Sequence, residues 1–171
     1  MTARGKARKR ALDILFEADI KQVPAATVLD ARIAAGPGAG TGETGGAPAA
    51  SARPPVSDYA AELVRGVQAH LHEIDDLLAE NARGWTVDRM PVVDRNILRI
   101  GAYELLWGGQ VPDAVAISEA VLLAGDLSTE ASSGFVNGLL ARIAEIKLTR
   151  ATGEGAQAKE QPQAEEQPRA E

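Results

Sequence analysis

With 171 residues, 45% apolar, 25% charged and a net charge of −6, the chain has the length and composition of one globular domain with a real core. The absence of cysteine excludes disulfides, thiolate metal sites and cysteine nucleophiles. No apolar run approaches the ~18 residues of a membrane span, and Asp13, Glu17 and Asp19 interrupt any signal-peptide core, so a cytoplasmic location is expected.

The first ten residues carry Arg4, Lys6, Arg8, Lys9 and Arg10 and no acid, and they lead into the helical period Ala7, Ala11, Ile14, Leu15, Ala18. Cations at a helix start oppose the macrodipole, which favours acids there by about 0.3–1 kcal/mol each. A helix selected only for stability would not begin this way. A helix that receives a polyanion would, because basic clusters supply the electrostatic part of nucleic-acid binding. A solvated, frayed terminus is the alternative reading of the same charge run. At about 100° per residue, Lys6, Lys9 and Arg10 fall opposite the apolar stripe, whereas Arg4 and Arg8 fall toward it and are expected at its rim. Phe16 lies off the main stripe, near Lys9. It either stacks on an unpaired base, worth about 1–3 kcal/mol, or forms a second packing edge with Leu12.

The pattern predicts helices over about 4–23 and 25–35. Residues 36–56, mostly Gly, Ala and Pro, have almost nothing to bury and are expected to form a flexible loop that interrupts one domain. Ser57 is an N-cap for a long period through Tyr59, Leu63, Val67, Leu71, Ile74 and Leu78, bent or broken near Gly66 or His70–His72. Residues 85–90 read as a connector, and Pro91 suits a first helical turn. The helix over 92–107 is apolar nearly all round and belongs at the centre of a bundle, with Gly108-Gly109 ending it. Helices over 115–124 and 130–148 follow, and no segment alternates as a strand does. The fold class is all-α, with a domain over 1–148 and a disordered acidic tail over 149–171 that solubilises the chain or shields its basic start.

Catalytic chemistry finds no foothold. His70 and His72 point about 200° apart on a helix and cannot chelate one ion, and Asp75-Asp76 reads as a solvated face. No phosphate loop, zinc spacing or nucleophile elbow is present. Glu104 falls among Ile97, Ile100 and Trp107 on an apolar stripe, where a carboxylate needs partners; it reads as a structural hydrogen-bond anchor. No catalytic residue, metal or cofactor is expected, and a binding module is favoured over an enzyme.

Behind the basic helix come VVDRNILRIGAYELL (92–106), VPDAVAISEAVLLA (111–124) and FVNGLLARI (135–143). In this order the chain resembles the NusB transcription antitermination family over nearly all of 4–148, with Arg8 and Leu12 agreeing in position. Ser118, where the family usually has asparagine, and the insert after Gly36 are departures. The resemblance implies a NusB-like fold of two packed three-helix subdomains plus an extra helix. It implies a non-catalytic role: binding single-stranded boxA RNA of ribosomal-RNA leaders together with the ribosomal protein NusE. That assembly joins the RNA polymerase antitermination complex and promotes complete ribosomal-RNA transcription. Carried over residue by residue, the RNA contacts are Arg4, Lys6, Arg8, Lys9 and Arg10, with Phe135 on the ligand-facing side of the last helix. Asp94, in Val93-Asp94-Arg95, is the implied NusE contact on an exposed helix edge. Ser132 and Ser133, before Phe135, suit a phosphate or plain capping.

The same fold opens certain cytosine-5 RNA methyltransferases, but only the tail follows residue 148, so no cofactor-bearing domain is expected. Two other classes stay open: a helical DNA-binding regulator, which lacks helix-turn-helix spacing here, and a homodimeric helical scaffold.

Overall fold

The computed structural model describes residues 2–36, 55–82 and 86–157, and within them every regular element is helical. Helix α1 (Ala3–Lys21) starts where the Thr2 hydroxyl accepts from the Gly5 amide at 2.9 Å and ends at Gln22 in the left-handed region. Its buried stripe is Ala7, Arg8, Ala11, Leu12, Ile14, Leu15 and Ala18, as the period demands, with one charged member. Helix α2 (Ala25–Ala35) follows after Pro24 and packs Val28 and Leu29 inward.

Ser57 caps α3 (Asp58–Ala69), its hydroxyl accepting from the Ala60 amide. The long period then breaks at His70, and α4 (Leu71–Asn81) continues it with Ile74, Leu77 and Leu78. Gly66 does not cause the break. It sits inside α3 because the Tyr103 ring lies where a Cβ would stand. A short 3₁₀ turn, Val87–Arg89, leads to α5 (Val92–Tyr103), which buries Ile97, Leu98, Ile100 and Ala102. The helical path then widens into a π-turn, Glu104–Gly108, and stops at Gly109, whose φ of 55° suits glycine.

Helices α6 (Asp113–Leu127) and α7 (Glu130–Gln157) complete the chain. The expected tail boundary at residue 149 is therefore too early, since α7 runs on to Gln157. No proline interrupts the sequence between Leu148 and Pro162, so the ladder runs on past the last large apolar residue. The glycine-rich stretch over 37–54, Trp85 and residues 158–171 lie outside the described residues.

Helices α1, α2 and α3 pack on one another, and so do α5, α6 and α7, while α4 lies against α5 and α7. Two three-helix units plus one helix is the arrangement that the family resemblance implies. Helix α5 joins the units by packing on both α1 and α3, so one contiguous core runs through the molecule. Each buried Leu, Ile or Val in it contributes about 1.5–3 kcal/mol relative to exposure. No described helix is long and apolar enough to cross a membrane.

A charged knot ties α1 to α4 and α5. The Asp19 carboxylate accepts from Arg95 Nη2 and Asn96 Nδ2, both at 2.9 Å, and from Arg99 Nη1 at 3.0 Å. Arg99 also donates to Asp75 at 2.7 and 2.8 Å, so Asp75 is half of an inter-helix pair and not part of a solvated face. Burial works to raise the Asp19 carboxyl, but the Arg95 and Asn96 hydrogen bonds and the Arg99 charge outweigh it and hold it below its ordinary value. A depressed folded-state value means the contribution is complete above the unfolded value of about pH 4 and is lost as pH falls through the folded one. Urea unfolding followed from pH 7 down to about 2 will show stability falling below about pH 4. In Asp19→Asn that acid limb will be shallower and the neutral-pH stability lower.

Candidate nucleic-acid interface

The five cations at the front of α1 divide into two populations. Arg4, Lys6 and Lys9 are exposed, and none meets an acid among the described residues. Arg10 is mostly covered, with Asp13 at 3.7 Å. Helical geometry accounts for Lys6 and Lys9, which point outward as expected. The expectation is corrected for Arg10, which was expected outward but is drawn down against Asp13 in the α1–α2 groove, and for Arg4, which was expected at the rim but is exposed in the first turn. Arg4 leans back toward the bundle, its guanidinium 5.2 Å from the Tyr59 ring centre and donating to the Gln110 carbonyl.

Arg8 belongs to the second population, and its expected role as an RNA contact is corrected. At 2% exposure its guanidinium is enclosed, donating from Nη2 to Glu104 Oε1 at 2.8 Å and from Nε to Glu104 Oε2 at 2.9 Å. Its Nη1 lies 3.2 Å from Glu119 of α6, and the Tyr59 hydroxyl of α3 donates to Glu104 Oε1. Burial pushes the Tyr59 phenol up, and the neighbouring Glu104 carboxylate adds to it, so the phenol stays a donor. Burial works against the Arg8 cation, yet the Glu104 pairing outweighs it. A phosphate could reach this side chain only by displacing a bidentate carboxylate. Glu104 is the hydrogen-bond anchor expected from its place on the apolar stripe. Its partners, 96 and 45 positions away, were not visible in local pattern.

Asp94 is likewise corrected. The exposed edge expected of it is absent: at 3% exposure it accepts from the Ser132 hydroxyl at 2.8 Å, and its Oδ1 is buried without a hydrogen-bond partner. The α5 start is pressed against the turn between α6 and α7, where Ser128 and Thr129 also bond Ser132. Ser132 thereby caps and latches, and Ser133 bonds the Val121 carbonyl, so neither hydroxyl is left for a phosphate. Asp94→Lys is expected to lose at least the ~1.5–3 kcal/mol of a hydrogen bond to a charged group. Asp94→Asn will lose less, and urea unfolding of the two variants checks the order.

Phe16 stands 38% exposed on α1 and lines a groove together with Arg10. Phe135 is half-buried on α7, in a groove with Asn81, Ala82 and Leu139. It belongs to the helix group of α4 to α7, whereas the cationic face belongs to α1.

The NusB family profile matches residues 5–145. The chain belongs to the NusB family. Transcription antitermination protein NusB from Nocardioides sp. is 50% identical over 147 residues, covering 86% of this chain and 97% of that protein. The protein of the same name from Salinispora tropica is 53% identical over 145 residues, covering 85% and 97%. NusB from T. maritima has a TM-score of 0.66 at 30% identity, covering 85% of this chain and 92% of its own. A chain in the crystal structure of antitermination factors NusB and NusE in complex with dsRNA has a TM-score of 0.65 at 22% identity, covering 85% and 99%; it shares the fold. Lys21 and Arg32, which lie near Phe16, went unnoticed in the sequence, although Lys21 stands at i+4 from Glu17, the spacing of a helical ion pair.

Proposed function

We propose that this chain is a transcription antitermination factor that binds single-stranded boxA-type leader RNA through the outward face of α1, together with the ribosomal protein NusE. The observation that carries the RNA part is the cluster of Arg4, Lys6 and Lys9, exposed and without an acidic partner among the described residues. In a chain of net charge −6, uncompensated cations on one helix face are the footprint of a polyanion site. The relatives' name, transcription antitermination protein, supports the process. The NusB and NusE complex with dsRNA supports RNA and NusE as partners; the single-stranded form of the RNA rests on the family resemblance.

Mechanistically, α1 offers phosphates a preformed row of cations, because the Arg8–Glu104 pair fixes which face of the helix turns outward. Phe16 supplies a ring for an unpaired base, and Phe135 marks a further contact on the α7 side. Asp94 acts on the NusE side indirectly, by holding the α5 start against the α6–α7 turn. The role is non-catalytic, and the RNA–NusE assembly joins RNA polymerase in the cytoplasm. Titrating labelled leader RNA and duplex DNA of the same sequence, with and without NusE, tests the reading. It predicts preference for the single-stranded RNA and tightening by NusE; preference for the duplex DNA favours a DNA-binding regulator and contradicts it.

A further inference from the structure

The solvent face of α1 changes character along its length. Beyond Lys6 and Lys9 it carries Phe16 and Ile20, 38% and 60% exposed, beside a groove that opens between α1 and α2. Three cations line that groove, Arg10, Lys21 and Arg32, together with two acids, Asp13 and Glu17. Glu17 is shared. Lys21 Nζ lies 2.6 Å from its Oε1, and Arg32 Nη2 donates to its Oε2. The Lys21 and Arg32 hydrogen bonds hold the Glu17 carboxyl below its ordinary value, so it is ionised at neutral pH and still answers two cations alone. Asp13 answers only Arg10, loosely, at 3.7 Å and 45% exposed. Neither Lys21 nor Arg32 meets a second acid among the described residues. Arg32 spends one of its five donors on Glu17 through Nη2, and its Nε is buried out of a ligand's reach, so only its remaining terminal donors are available to the groove. The groove therefore has surplus positive charge and spare donors next to an exposed aromatic ring.

We propose that this α1–α2 groove is a second subsite for the same RNA strand, a proposal that rests on the RNA-binding reading of α1. The strand whose phosphates meet Lys6 and Lys9 continues along the helix, lays a base on the Phe16 ring, and brings a later phosphate to Lys21 and Arg32. Lys21 stands roughly 22 Å beyond Lys6 at the helical rise of about 1.5 Å per residue, within one uninterrupted helix. Stacking on an aromatic ring tolerates any base, while the cations hold the backbone. Ile20, exposed on the groove wall beside Phe16, would also suit a protein segment. What favours RNA is the surplus of cations and its continuity with the unpaired cations upstream.

The test is fluorescence anisotropy of a labelled single-stranded RNA oligonucleotide, long enough to span both sites, against the full chain at several salt concentrations. Arg32→Ala and Lys21→Ala are each compared with wild type and with Lys9→Ala. Each groove variant is expected to lower the log–log salt slope by about 0.7, and affinity about fivefold near 0.1 M salt. Lys21 is 60% exposed, so its variant keeps the fold even if Arg32→Ala lowers the melting temperature. Unchanged slopes in both groove variants, with a reduced slope in Lys9→Ala, overturn the subsite and leave the α1 reading standing. The same holds if the groove variants weaken only NusE binding. Absence of RNA binding by wild type overturns both.

Discussion

Glu104→Ala is expected to destabilise the fold by about 3–5 kcal/mol, the largest effect of any single polar substitution considered, because it leaves a buried arginine without its counter-charge. Arg8 and Glu104 are each 2% exposed and joined by three charge-assisted hydrogen bonds, and the Tyr59 hydroxyl loses its acceptor in the same variant. The pair itself is not a large net source of stability, since desolvating two charges offsets most of their attraction. Its removal as a unit should therefore be tolerated. Arg8→Met with Glu104→Leu is expected to unfold at higher urea than either single variant, with Glu104→Gln between the singles and wild type. A loss under about 1 kcal/mol in Glu104→Ala would show that Arg8 is content with Glu119 alone.

The Lys6→Ala, Lys9→Ala double variant should lose about twentyfold in affinity for single-stranded RNA near 0.1 M salt, at ~0.7 of log–log slope for each phosphate contact. Both side chains are exposed and neither meets an acid among the described residues, so stability should hold and helicity remain. Lys6 stands at the end of the first helical turn, so removing it relieves part of an unfavourable macrodipole interaction, while Lys9 lies beyond that turn; the melting temperature should hold or rise slightly. This opposition between stability and binding separates a binding cation from a merely structural one. Arg8 lies on the other side of that line: its replacement costs stability first and RNA affinity only through the altered seating of α1.

Helix existence was legible because period and caps are local properties. The 25–35 helix, the Ser57 cap, the break at His70 and the central apolar helix all follow from spacings of four residues or fewer. The outward direction of Lys6 and Lys9 was legible for the same reason. What local pattern could not show was the partner of each inward-leaning charge. Arg8 meets Glu104, Asp19 meets Arg95 and Arg99, and Asp94 meets Ser132, across 96, 76, 80 and 38 positions. A helical wheel places Arg8 at a rim; only packing α1 on α3, α5 and α6 turns that rim into an enclosed ion pair. Asp94 misled in the opposite way, since a first-turn acid is usually solvated, whereas here the α6–α7 turn folds over it. The end of α7 was not legible, because large apolar residues stop at Leu148 while the backbone ladder does not.

The central claim, that the outward cations of α1 hold an RNA backbone, is tested most directly by the salt dependence of RNA affinity in wild type and in the Lys6→Ala, Lys9→Ala variant. With Arg8 enclosed, three or four cations at the front of α1 remain to meet phosphates and account for roughly −2 to −3 of the wild-type slope, to which the two groove cations would add about −1.4; the double variant should be shallower than wild type by about 1.4. A wild-type slope near zero, or one the double variant leaves unchanged, would contradict the account.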